Sequence, residues 1–214
     1  MWLAFLGAFI AAVIVYFLGS IGRDGLTPIK IVLAGSAISA LFMSLTQAIL
    51  VLNEVGMQNV LFWLAGSVSG RTLEMLQPVW PLVVLAGLVS MSMGKAINLL
   101  TTGEDIAKGL GQKTVLVKSM MGILIVVLAG SSVAIVGAIG FIGLVIPHIA
   151  RALVGNDYRW VIPFSALLGA ILLLSADVVA RLVILPQEVP IGVITAFIGV
   201  PFFVYIARKG VAWK

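Results

Sequence analysis

The stretch VLVKSMMGILIVVLAGSSVAIVGAIGFIGLVIPHIARAL, Val115 to Leu153, decides the fold class. It stays apolar for about twice the length one helix needs to cross the ~30 Å hydrocarbon core of a bilayer. Gly137, Gly140 and Gly143 recur at intervals of three in its middle, so it reads as two membrane spans joined by a tight glycine turn. Only helices and closed barrels satisfy their backbone hydrogen bonds inside lipid. A barrel strand would alternate apolar and polar residues, whereas this run is continuous in Leu, Ala, Ile, Val and Gly. The spans are therefore helical.

The rest of the chain has the same character. Of 214 residues, 62% are hydrophobic and 10% charged, against roughly half and a quarter in soluble domains. Upstream, Trp2 to Leu18 and Ile29 to Leu52 are spans separated by the polar turn Ser20 to Thr27. After a break at Asn53, Glu54 and Gly56, a third span begins at Met57 and needs Gly70 to Leu76 to reach full length. Pro78 to Ile97 is a fourth. Downstream, Val161 to Ile184 and Ile191 to Ala207 flank a rigid turn, Pro186 to Pro190. The expectation is an all-α, polytopic transmembrane bundle of about eight spans, forming one transmembrane domain over residues 1–214.

Between Ile97 and Val115 lies the longest polar stretch, Asn98 to Lys113, read as a cytoplasmic loop. Lys95, Lys108, Lys113, Lys118, Arg151, Arg159 and the C-terminal basic residues share one side of an eight-span topology. Arg23, Lys30, Arg71 and Arg181 fall on the other, so both termini are expected in the cytoplasm. Asp24 and Glu188 are expected to face outward. The net charge of +5 is scattered singly between apolar runs, with no basic stripe for nucleic acid. Membrane lipid is the expected surround. Gly35, Ser36 and Ser39, with Gly130, Ser131 and Ser132, are small enough to let helix backbones approach closely. The chain opens on Met1, Trp2 and Leu3 with no basic lead and no cleavage site, so the natural protein is expected to start further upstream.

Residues for chemistry are few. With no cysteine there is no disulfide, thiolate metal site or cysteine nucleophile. The sole histidine, His148, sits with Arg151 near the expected cytoplasmic end of a span, and one histidine does not make a metal site. Gly66-Ser67-Val68-Ser69-Gly70 misses the serine-hydrolase elbow because Val68 occupies the nucleophile position. Lys113-Thr114 misses the Walker loop because Gln112 stands where a glycine must cradle phosphate. No cofactor is expected on the chain, and ATP-driven work requires a separate subunit. Asp177 lies inside a span and needs a partner. Arg181, one turn on, offers a structural intramembrane ion pair.

Three stretches together resemble the FecCD-type permease subunits of ABC importers for iron-siderophore, haem and cobalamin complexes. They are GAIGFIGLVIPHIARALVGNDYRWVIP (Gly137 to Pro163), ADVVAR (Ala176 to Arg181) and PQEVPIGVITAFIGVPFFV (Pro186 to Val204). GEDIAKGLG, Gly103 to Gly111, is similar to the segment through which such permeases dock on their ATPase. The resemblance implies a type II importer permease of ten helices, of which this chain lacks the first two. It also implies a bacterial cytoplasmic membrane, a second permease subunit as homodimer or heterodimer, and two ABC ATPase subunits that bind ATP. An extracytoplasmic substrate-binding protein completes the set.

The local chemistry of GEDIAKGLG agrees with a short surface helix. Gly103 can end one helix, Glu104 and Asp105 favour the first turn of the next, and Gly111 can stop it. Ile106, Ala107 and Leu110 are spaced to share one face suited to a partner's groove. Two functions stand open at this level: the membrane subunit of an ATP-driven importer, with no catalysis of its own, or a stand-alone secondary transporter or channel.

Overall fold

A computed structural model describes residues 2–21, 28–52, 57–68, 70–184 and 189–208. The expected turns at Ser20 to Thr27, Asn53 to Gly56 and Pro186 to Pro190 lie wholly or largely outside the described residues, as do Asp24, Glu188, Lys209 and Lys214. Among the described residues the regular elements are helices: α1 (Trp2–Ser20), α2 (Pro28–Leu52), α3 (Met57–Leu64), α4 (Leu73–Leu76), α5 (Trp80–Ser92) and α6 (Gly94–Thr101). Then come α7 (Glu104–Gly109), α8 (Thr114–Val136), α9 (Ile142–Val154), α10 (Tyr158–Leu182) and α11 (Ile191–Arg208). They divide into two compact units, Met1–Phe62 and Trp63–Lys214.

In the first unit α1 packs on α2. The hydroxyls of Ser36, Ser44 and Thr46 donate to carbonyls three or four residues back, so these polar side chains are satisfied within α2 itself.

In the second unit the burial pattern is the inverse of a soluble bundle. Ala176 and Ala180 of α10 are buried, while Leu167, Ile171, Leu174 and Val178 form an outward stripe at helical spacing. Small residues inside bring backbones close, and large apolar residues outside suit lipid, where helix association lacks a hydrophobic drive. The chain is a membrane protein by this pattern and by its helices. Among the described residues, three helices (within α2, and α8 and α10) are long and apolar enough to cross a bilayer. The pair α5 and α6, bent by 50°, makes a fourth if counted as one span.

The expected spans all have helical counterparts, with two differences. The third is not continuous: α3 stops at Leu64, the chain leaves helical geometry at Gly66 (φ 71°), and only the short α4 follows. The segment Val115 to Leu153 splits as expected, but its second half, α9, has only 13 residues, about 20 Å of helix. Non-helical Gly137 to Phe141 separates it from α8. Such backbone tolerates membrane depth only where protein or a water-filled cavity covers it. Here Ser67 N donates to Val136 O at 2.9 Å and Gly192 N to Gly66 O at 3.2 Å, joining three stretches of chain. Phe141 takes the left-handed conformation (φ 68°) to start α9, and Gly199 of α11 lies directly against its side chain. His148 packs edge-on against Phe202 with ring centroids 6.3 Å apart, a second contact between α9 and α11.

Candidate functional site

Helix α7 lies at the end of the second unit where α6 stops and α8 begins. Gly103 (φ 119°) and Gly111 (φ 83°) bracket it as the sequence suggested. Gly103 O accepts from Ala107 N at 3.0 Å, and Gln112 N donates to Ala107 O at 3.0 Å, so the helix is closed at both ends by its own flanks. Glu104 and Asp105 occupy the first turn and Lys108 the last, each complementing the helix dipole.

Glu104 is the anchor. Its carboxylate pairs with Lys118 of α8 and with Lys108 at 3.1 Å, and Thr114 Oγ1 donates to it at 3.5 Å. The hydrogen bonds from Lys118 and then Lys108 hold its carboxyl below the ordinary carboxylate range. Gln112 Nε2 donates to Ala96 O of α6 at 2.8 Å, tying the loop after α7 back to the helix before it. A helix of six residues is too short to be stable alone, and these cross-links fix where it sits.

The apolar face differs from the expected one. Ile106 and Leu110 are exposed, at 56% and 68%, but Ala107 is fully buried, with α7 seated on α6 and α8. Ala107 is thus a packing residue, and the outward apolar surface is Ile106 with Leu110. Lys118 and Gln112 are the residues that sequence reasoning missed. A lysine one turn inside an otherwise apolar helix is the signal that could have found Lys118.

The other singled-out residues lie elsewhere. Arg181 Nε donates to Asp177 Oδ2 at 3.0 Å, so the ion pair forms. It lies in the last turns of α10, which ends at Leu182, rather than deep in the span. His148 and Arg151 sit half-buried on α9, remote in sequence from α7. Among the described residues no group of three or more His, Cys, Asp or Glu is placed to hold a metal ion.

Residues 1–209 match the profile of the FecCD transport family. The chain is 60% identical over 209 residues to the "Probable siderophore transport system permease protein YfiZ" of Bacillus subtilis, covering 98% of this chain and 63% of that protein. It is 42% identical to the ferric enterobactin transport system permease protein FepD of Escherichia coli, covering 97% of this chain and 62% of FepD. Among solved structures, a metal-chelate type ABC transporter in an inward-facing conformation superposes with a TM-score of 0.85 at 31% identity. That match covers 96% of this chain and 66% of the other. The chain thus spans less than two thirds of these relatives' lengths. With a match along nearly its whole length and the same helical architecture, the chain belongs to the FecCD transport family.

Proposed function

We propose that this chain is the membrane-spanning permease part of an ATP-driven importer, contributing helices to the path of an iron-siderophore-type chelate. The observation that carries this reading is α7: a short helix pinned to α6 and α8, with Ile106 and Leu110 turned outward where a partner can cover them. The names of its relatives, which refer to siderophore and ferric enterobactin transport, supply the cargo class. In this reading α7 faces the cytoplasm and docks on an ABC ATPase that binds ATP. A second permease subunit completes the path, and a binding protein delivers the chelate at the opposite face of the cytoplasmic membrane. Glu104 and its lysines hold α7 in place so that a push on Ile106 and Leu110 reaches the membrane helices.

The test is purification of the tagged protein from its native membrane, together with uptake of a radiolabelled ferric siderophore by whole cells. Co-purification of an ABC ATPase, and uptake that vanadate abolishes and gene deletion removes, support the reading. Vanadate-resistant uptake that follows the proton gradient, with no ATPase bound, sinks it in favour of a secondary transporter.

A further inference from the structure

Asn98 lies in the second turn of α6, shortly before α7 begins. Its Nδ2 donates to Asp157 Oδ1 at 2.6 Å, and its Oδ1 accepts from Tyr158 N at 2.8 Å. Both ends of one amide thus engage a single turn some sixty residues away, fixing orientation as well as distance. Asp157 is the N-cap of α10, and its Oδ1 also accepts from Arg159 N at 2.9 Å. The backbones meet at the same place: a Cβ on Gly94, the first residue of α6, would stand 2.8 Å from Arg159 Cα. Only glycine allows α6 to lie so directly on the first turn of α10.

These contacts connect to α7 on one side and to the far end of the unit on the other. Gln112 ties the loop after α7 to Ala96, in the turn of α6 that precedes Asn98. Helix α10 then runs 25 residues to the opposite end. There Ala176 and Ala180 pack with Ile191, against Val68 and Ile139. Packed apolar helices can slide along one another, because dispersion contacts have little direction. Two hydrogen bonds from one amide, one donated to the Asp157 carboxylate and one accepted from the Tyr158 backbone N–H, hold its register.

We infer that Asn98 and Asp157 form a positioning pair that transmits displacement of α7 into α10, so that motion driven at the ATPase moves the far end of the membrane path. This rests on the coupling role proposed above for α7.

The experiment reconstitutes the complete transporter, with its ATPase and binding protein, in liposomes and measures chelate imported per ATP hydrolysed. Asn98→Asp sets two carboxylates face to face. Adding Asp157→Asn restores the pairing with the roles exchanged. Asn98→Ala removes the bond without repulsion and serves if Asn98→Asp accumulates poorly. The expected result is normal ATPase co-purification and basal hydrolysis in the single variants, with import per ATP reduced on the order of tenfold. Most of that loss should be recovered in the exchanged pair. An unchanged ratio in both single variants at normal membrane levels overturns the inference, as does an exchanged pair no better than Asn98→Asp. Failure of the functional reading shows separately, in the unaltered protein, as absence of a bound ATPase or of ATP-dependent import.

Discussion

The amide of Ser67 donates to the carbonyl of Val136 at 2.9 Å, pinning the loop after α3 to the end of α8. The next residue makes the approach possible. Gly137 has φ 79°, and a Cβ there would stand 2.0 Å from Trp63 O. With ψ −168° as well, this backbone region is essentially reserved for glycine and costs another residue about 1–3 kcal/mol, and the backbone clash adds to it. Gly137→Ala is therefore expected to lower the thermal midpoint in detergent and reduce membrane levels, as read by fluorescence-detected size-exclusion chromatography. An alanine variant as heat-stable as the parent would contradict this junction.

The ion pair of Asp177 and Arg181 sits in the last turns of α10, with side chains 25% and 50% exposed. Pairs at this spacing contribute about 0.2–0.5 kcal/mol on an exposed helix, and partial exposure keeps this pair near that range. Asp177→Asn and Arg181→Gln should each lower membrane levels slightly, and the double variant should recover part of the loss. A double-mutant cycle of thermal midpoints measures the coupling. Single variants that accumulate normally yet lose uptake would point instead to a role in transport.

Glu104 gives a pH prediction with a definite sign. Its hydrogen bonds to Lys118 and Lys108 depress the folded-state carboxyl below its ordinary value of 4.5. A depressed carboxylate stabilises the fold above the unfolded value, and that contribution is lost as pH falls from about 4.5 through the folded value. Protection of the α7 amides against hydrogen exchange, taken relative to the intrinsic rate at each pH, should fall below about pH 4.5 and stay level above about pH 5, where the carboxylate keeps its charge. Glu104→Gln should show low protection of the α7 amides at every pH. If that variant protects α7 as well as the parent does, the carboxylate is not its anchor.

Which features were legible in the sequence follows from the range of the forces that set them. Helices α8 and α10 were readable because apolar length is a local property that lipid enforces. The termini of α7 were readable because Gly103 and Gly111 act on their own backbone. The end of α3 was not, since the path after Leu64 is set by Val136 and Gly192, far along the chain. Ala107 was misplaced for a similar reason. Its spacing from Ile106 and Leu110 allows a shared face, but α6 and α8, which bury it, are invisible to spacing. Asn98 and Asp157 gave no sign of their pairing, because each reads locally as an ordinary loop or cap residue.

The last prediction separates docking from folding on α7. Ile106 and Leu110 are exposed and Ala107 is fully buried, although all three lie within about one helical turn. An arginine at position 110 would project into water, where its charge is solvated, and should leave α7 and the membrane helices intact. It would also place a large cation where the proposed ATPase contact needs an apolar surface, and an unpaired charge at a buried interface is costly. Leu110→Arg is therefore expected to preserve membrane levels while lowering ATPase co-purification and ATP-dependent uptake on the order of tenfold or more. Ala107→Arg should behave differently, because no space exists between α7 and the helices it sits on. Its side chain must displace α7, so protein levels should fall together with ATPase binding. Both variants are compared in the complete transporter by membrane level, ATPase co-purification and uptake. Normal ATPase binding and uptake by Leu110→Arg at full membrane level would remove the outward face of α7 from the docking surface.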